Sequence, residues 1–555
     1  VGQGTLELIN GGQLSENPNS PAAPRLEVFV GEGFGSQGFV NLRGNGSLLR
    51  SNRLVIGGAG FGQMSMTTRA RTTTVSEAII GELGTGNDIG VGFVSVDGQL
   101  TRWTIGSTAG SGGSPGLLVV GAGGRGGLNI TNQGEVRVTD DSGLGGSVII
   151  GQFANSIGEV NVSGQFSQLW SFGTITVGGL GRGILRASDG GLVRANQDIN
   201  IGVDGVLEIS GGSVVTPITP ANRGIYNSGV IQTNTGRVGQ IDSRVFNQVT
   251  GEIRAAGTAD RVRERLIFTR QVTNDGLITS IGGEMEFTGG VINNGMIAGR
   301  DAIYRFRDPF TNSGAMNFSV GVSDVYGSVT NNGVLGVAHN TDVTFYDPVV
   351  NNGNLTVLPG GAAIFLDGLT LAASSALSLQ LNQVASIEEI GQLQIVGSAT
   401  LGGALSLVTF GGLNPQPGDS WQIISGTNVT GTFSSVQFPP APGNNWSLDY
   451  TPNSVVLQYV AAPAFSGDFN GDNIVDGADL AIWEATFGMT VPPPVPNGDA
   501  NGDGIVDGAD LLIWQKQLGT SGGAAPAAGA VPEPASWALV LMAAAAGLRR
   551  RGRNA

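Results

Sequence analysis

"VTNDGLI" (272–278), "VINNGMI" (291–297), "FTNSGAM" (310–316), "VTNNGVL" (329–335) and "VVNNGNL" (349–355) are five versions of one phrase. Their glycines, Gly276, Gly295, Gly314, Gly333 and Gly353, recur at intervals of 19, 19, 19 and 20 residues. A fixed period with an apolar residue ahead of each Asn-x-Gly turn and another after it describes one coil of a β-solenoid per repeat. A single coil cannot bury its own apolar face, and stacking does that for it. Asn274, Asn293, Asn312, Asn331 and Asn351 are then expected to stack as an amide ladder, with the glycines supplying turns at φ > 0. Gly229 in "IYNSGVI" and Gly251 in "QVTGEI" continue the pattern less regularly toward the N-terminus.

Farther upstream a looser unit recurs, an Ile or Val followed by Gly, in "RLVIGGAG", "EAIIGELG", "WTIGSTAG", "LLVVGAGG", "SVIIGQFA", "TITVGGLG" and "DINIGVDG". Segments between them, such as "GEVNVSGQ" and "GVLEISGGSV", alternate apolar and polar residues with the period of a strand buried on one face. These segments resemble the Gly-rich repeats of bacterial autotransporter passengers and of the PEP-CTERM surface proteins that share them, over most of residues 1–365.

Composition agrees with this reading. Of 555 residues 94 are Gly, 13% are charged and 6% aromatic, a turn-rich all-β mixture on a chain long enough for two to four domains. Lys516 is the only lysine and the net charge is -15, which argues against a nucleic-acid partner. The absence of Cys removes disulfides, thiolate zinc sites and Cys nucleophiles. His339 is the only histidine, so Ser-His-Asp, Cys-His and multi-His metal sites are excluded, and it is expected in a coil corner. The chain opens "VGQGTLELINGG", with no Met, basic n-region or apolar h-region, so a signal peptide is expected to be cleaved or to lie outside this sequence, and the first coil is expected to begin mid-repeat.

A second signal is "DFNGDNIVDGAD" (468–479), repeated as "DANGDGIVDGAD" (499–510). A calcium loop needs oxygen ligands at positions 1, 3, 5, 7, 9 and 12 with a sharp turn midway. Asp468, Asn470, Asp472, the Ile474 carbonyl, Asp476 and Asp479 meet that spacing, as do Asp499, Asn501, Asp503, the Ile505 carbonyl, Asp507 and Asp510. Asn473 stands at position six of the first loop and Gly504 at that of the second; both visit the left-handed region. Each loop is followed by one apolar-faced helix, with Leu480, Trp483 and Phe487, or Leu511, Trp514 and Leu518, at helical spacing. Over 467–519 this duplicated loop-plus-helix resembles the type I dockerin, which implies two Ca²⁺ ions and a cohesin-like partner. The positions ten and eleven that carry Ser or Thr in that family are here Gly477, Ala478, Gly508 and Ala509.

The tail "VPEPASWALVLMAAAAGLRRRGRNA" places Pro532, Glu533 and Pro534, an apolar run and then Arg549, Arg550 and Arg551 in succession. It resembles the PEP-CTERM sorting signal, which implies an exosortase-like processing enzyme, transient anchoring in the inner membrane and display at the cell surface or in the extracellular matrix. An apolar run of about 14 residues is short of a full bilayer span as a helix.

The expected organisation is Gly-rich solenoid over 1–225, regular coils over 226–367, and terminal coils or a β-sandwich cap over 368–460. A dockerin-like double calcium loop over 465–519, a linker over 520–530 and a sorting segment with a short hydrophobic helix over 531–555 follow. The fold class is all-β, a parallel β-solenoid. The function expected is an exported adhesin-like structural protein, with an envelope protein or an extracellular polysaccharide as further partners. The alternative is a dockerin-bearing polysaccharide-active β-helix enzyme, for which the charged clusters at Arg261–Arg270 and at Asp301, Arg305, Arg307 and Asp308 are the candidates. The solvated-face reading of those clusters is preferred, because β-helix enzymes carry longer irregular loops beside their clefts.

Overall fold

The computed structural model describes residues 2–15, 26–82, 89–106, 115–139, 145–220, 222–233, 237–256, 264–319, 321–384, 387–410, 413, 415–439, 444–461, 465–490, 498–501 and 504–521. The chain divides into two compact units. The first comprises Val1–Leu413, Ile423–Gln437 and Tyr450–Val455; the second comprises Asn414–Gln422, Phe438–Asp449 and Val456–Ala555.

The first unit is a parallel β-solenoid. One coil reads Met296–Arg300 on a first face, Ile303–Phe306 on a second and Phe310–Asn312 on a third. Strands lie parallel and in register on their counterparts one coil away, as in Ile297↔Met316, Phe306↔Val325 and Asn312↔Asn331. Among the described residues the first face is a 19-stranded sheet, parallel throughout except for the antiparallel strand Ile387–Ile390. The second and third faces merge into a 32-stranded sheet because strands such as Leu48–Ile56 bend through the corner and serve both. Parallel pairing continues beyond 368, where Ala376–Val384 pairs with Ala404–Phe410 and that strand with Ser435–Gln437.

Short strands suffice because side chains alternate inward and outward and each inward one stacks on its equivalent above and below. Phe268, Phe287 and Phe306 form one such column, with ring centroids 5.0 and 5.2 Å apart and planes within 12° of parallel. Phe345 and Phe365 continue it at 4.9 Å. All five rings are fully buried, and offset stacking adds roughly 0.5–1.5 kcal/mol per pair beyond burial.

The corner between the third and first faces explains both sequence repeats at once. Gly4, Gly38, Gly62, Gly92, Gly126, Gly158, Gly183 and Gly205 stand in one column. The register carries that column on through Gly229, Gly251, Gly276, Gly295, Gly314, Gly333 and Gly353. A Cβ on Gly92, Gly158, Gly314 or Gly333 would lie 2.0–2.1 Å from a carbonyl oxygen of the preceding coil. The expected reason for the Asn-x-Gly glycines therefore needs correcting. None of these five has positive φ; they are glycine because the backbones of successive coils touch there.

A neighbouring column changes chemistry along the solenoid. Val30, Ile56, Ile80, Val120, Ile150, Val177 and Ile201 occupy it first. Asn227, Asn247, Asn274, Asn293, Asn312, Asn331 and Asn351 follow, and then Leu371. In the aliphatic stretch the next residue turns the chain, and Gly57, Gly81, Gly121, Gly151 and Gly178 have φ of +71° to +74°. Ile105-Gly106 does not belong to this column, since Ile105 ends a second-face strand. In the amide stretch each Asn Nδ2 donates to the next Asn Oδ1 at 2.6–2.7 Å. The same Nδ2 closes its own corner, as Asn351 does on the Gly353 carbonyl at 2.9 Å. The seven asparagines are 0–1% exposed, and Asn227 Oδ1, which faces Ile201, finds no donor.

In the second unit Trp446 packs on Trp421 and Tyr459 at 5.6 and 4.6 Å. The loop-helix module there has two helices, α1 (Gly477–Thr486) and α2 (Gly508–Gln517), and a core of Phe469, Val475 and Trp514. Phe487 and Leu518, expected on the buried helical faces, lie just past the helix ends and are 58% and 53% exposed.

Candidate functional site

In the first Asp-rich loop the acidic side chains fold back on their own backbone. Asp468 Oδ1 accepts from the N–H groups of Gly471 and Asp472 at 2.8 and 3.2 Å, and its Oδ2 from Asn473 at 2.8 Å. Asn470 Oδ1 accepts from Asp472 N–H at 2.8 Å and Asp472 Oδ1 from Ile474 N–H at 2.9 Å. Asn473 turns the chain at φ +64°. Asp476 caps α1 by accepting from Ala478 N–H at 2.7 Å. Asp479, fully buried, accepts from Phe469 and Asn470 with one oxygen and from Asp476 N–H with the other.

The second loop repeats these contacts. Asp499 Oδ2 accepts from Gly504 N–H at 2.8 Å, and Asp507 caps α2 through Ala509 N–H. The fully buried Asp510 accepts from Ala500, Asn501 and Asp507. Asp503 lies outside the described residues. Ile474 and Ile505, whose carbonyls complete the two sets, are half-exposed at 43% and 49%.

The donor set fits a hard divalent cation in chemistry: it is all oxygen, mixes carboxylate, carboxamide and carbonyl, and repeats twice at the same spacing. Among the described residues no three His, Cys, Asp or Glu side chains gather within one coordination sphere. The carboxylates are instead held by backbone N–H groups of their own loops. Gly477, Ala478, Gly508 and Ala509, at the helix starts, are exposed and present no side-chain hydrogen-bonding group. Pro532, Glu533, Pro534, Arg549, Arg550 and Arg551 lie outside the described residues. Among the described residues no helix is long and apolar enough to cross a membrane.

The charged clusters of the solenoid are ladders on its second face. Arg265 bridges to Glu284 at 3.0 Å and also meets Glu286. Arg305 pairs with Glu284 and, at 3.8 Å, with Asp324. Arg307 pairs with Glu286 at 2.8 Å and covers Tyr326, which stacks on Tyr346. Asp301 turns a corner at φ +55°. Asp308 is exposed at the next corner, and His339 is exposed in a turn. Arg261, Val262 and Arg263 lie outside the described residues. A shallow groove of about 420 Å³ opens beside Thr176, Asn200, Tyr226 and Gln248, where the aliphatic corner gives way to the amide corner. Sequence reasoning did not anticipate it, because its lining comes from four successive coils.

Fold and site together define a parallel β-solenoid that also carries a duplicated loop-helix module. No protein-family model matches the chain, and no curated protein matches it by sequence. Among solved structures it is similar to a TibC-catalyzed hyper-glycosylated TibA fragment, at 11% identity and a TM-score of 0.22, over 74% of this chain and 94% of that one. It is also similar to the Haemophilus influenzae Hap adhesin, at 10% identity and a TM-score of 0.24, over 78% of this chain. The chain spans 63% of the Hap adhesin's length. The solenoid itself is defined by its strand register, independently of either likeness.

Proposed function

We propose that this is an exported, surface-displayed structural protein of adhesin-like type, with a calcium-folded dockerin-like module and a sorting segment at its C-terminal end. The observation that carries the reading is the continuity of the three parallel faces from Gln3 to Gln437. On such faces Arg305, Arg307, Glu284 and Glu286 engage one another between coils. Groups arranged that way brace a surface rather than converge on a substrate, and a solenoid offers long repetitive faces for contact.

The calcium part rests on the loops. A bound Ca²⁺ would supply positive charge to a set of oxygens dominated by carboxylates, which only accept. Asp468, Asn470, Asp472, Asp476 and Asp479, with their equivalents in the second loop, are the residues to hold it. A cohesin-like contact would have to use Gly477-Ala478 and Gly508-Ala509 without hydroxyl groups, so an envelope protein that reads another surface is the preferred partner. Processing by an exosortase-like enzyme at Pro532-Glu533-Pro534 would release the chain to the surface.

Antibody against the coils should label intact cells, and mass spectrometry of the surface-released protein should find no peptide beyond Val531. Confinement of the coils to the cytoplasm, or recovery of Arg553 from surface material, contradicts the proposal. Release of reducing ends from a polysaccharide, abolished by Asp301→Ala or Asp308→Ala, would replace the structural role with a catalytic one.

A further inference from the structure

We propose that Trp483 and Trp514 are reciprocal clamps that make the two Asp-rich loops bind their cations as a coupled pair; this rests on the calcium reading of those loops. Trp483 is carried by α1, the helix that leaves the first loop, yet its indole Nε1 donates to the Asp507 carbonyl of the second loop at 2.9 Å. Trp514 on α2 returns the contact to the Asp476 carbonyl of the first loop at 3.0 Å. Asp476 and Asp507 hold the same place, ninth in each loop and N-cap of each helix.

The exchange recurs at the loop entrances. A Cβ on Gly467 would stand 3.0 Å from Trp514 Cα, and one on Gly498 would stand 2.8 Å from Trp483 Cα. Each tryptophan thus meets the opposite loop at its entrance and at its ninth position. The backbone does the same. Val475 in the first loop exchanges hydrogen bonds with Gly519 and Thr520 beyond α2, and Val506 in the second with Gly488 and Met489 beyond α1.

These contacts close a circuit. Ordering the first loop fixes the capping box that starts α1; α1 carries Trp483, and Trp483 fixes the ninth residue of the second loop. From there α2 and Trp514 lead back to the first. A cation that rigidifies one loop therefore lowers the ordering cost at the other, and the coupling is equal in both directions. Trp514 is buried at 6% exposure and Trp483 is half-exposed, so the arm through Trp514 is the stiffer.

The test is calorimetric titration of the full chain, freed of metal by EDTA and dialysis, with calcium chloride. Two ions should bind with a Hill coefficient of about 1.5 or more, and Asp499→Ala should weaken binding at the first loop by roughly tenfold. Trp483→Phe and Trp514→Phe should still bind both ions but with a Hill coefficient near 1, and Asp499→Ala on either background should leave the first loop unchanged. Should Trp514→Phe fail to fold, Trp483→Phe, at the half-exposed clamp, carries the comparison. Independent binding of two ions by the unaltered chain, or unchanged steepness in Trp483→Phe, overturns the coupling while leaving the calcium reading intact. No calcium binding at all overturns both.

Discussion

The amide column of the solenoid and the carboxylate loops of the second unit dispose of side-chain oxygens in opposite ways. An amide carries donors and acceptors, so Asn227 through Asn351 bond to one another in a buried, neutral line, with only the Asn227 Oδ1 at its start left without a donor. A carboxylate only accepts, so Asp468, Asp479 and their equivalents cannot pair among themselves and take up the N–H groups of their own loops. Residues 468–510 hold nine carboxylates and no basic side chain. The difference teaches that a β-solenoid can stack Asn along a buried column, whereas a run of Asp invites a cation to offset its charge.

The sharpest way to break that comparison is to put a carboxylate into the amide column. Asn312→Asp should cost about 4 kcal/mol, because an uncompensated charge is buried and the donor to Asn331 is lost; urea-gradient proteolysis should show the coils around it opening first. Gly314→Ala should cost about 3 kcal/mol, since its Cβ would lie 2.0 Å from the Gly295 carbonyl oxygen with backbone on both sides. The same assay should detect that loss, and no shift would mean that the coils do not touch as described. Arg305→Ala on the partly exposed second-face ladder should change stability by less than about 1 kcal/mol, measured as a small shift in melting temperature.

The period near 19 residues, the amide ladder at five positions and the two loop-helix units are legible in the sequence because each is a local phrase repeated. Asn227 and Asn247 are harder to place in the ladder, since the spacing there is 20 and then 27 residues and Asn247 stands four residues ahead of its glycine rather than two. The unity of the glycine column escapes it too. From Ile56 to Gly62 the corner takes six steps and from Asn293 to Gly295 it takes two, so the same position falls at different offsets from the turn. Turn propensity suggested φ > 0 for the Asn-x-Gly glycines, but crowding between coils is a non-local cause that propensity does not carry. The tryptophan clamps are likewise hidden, bridging 24 and 38 residues between units that read as separate copies.

Hydrogen exchange read by mass spectrometry, on the full chain with calcium and after EDTA, tests the contrast most directly. The account predicts that peptides covering 468–490 and 504–521 lose protection when calcium is removed, while those covering 272–354 exchange at the same rate in both conditions. Unchanged protection in the loop-helix module, or equal loss in the amide-ladder coils, would contradict it.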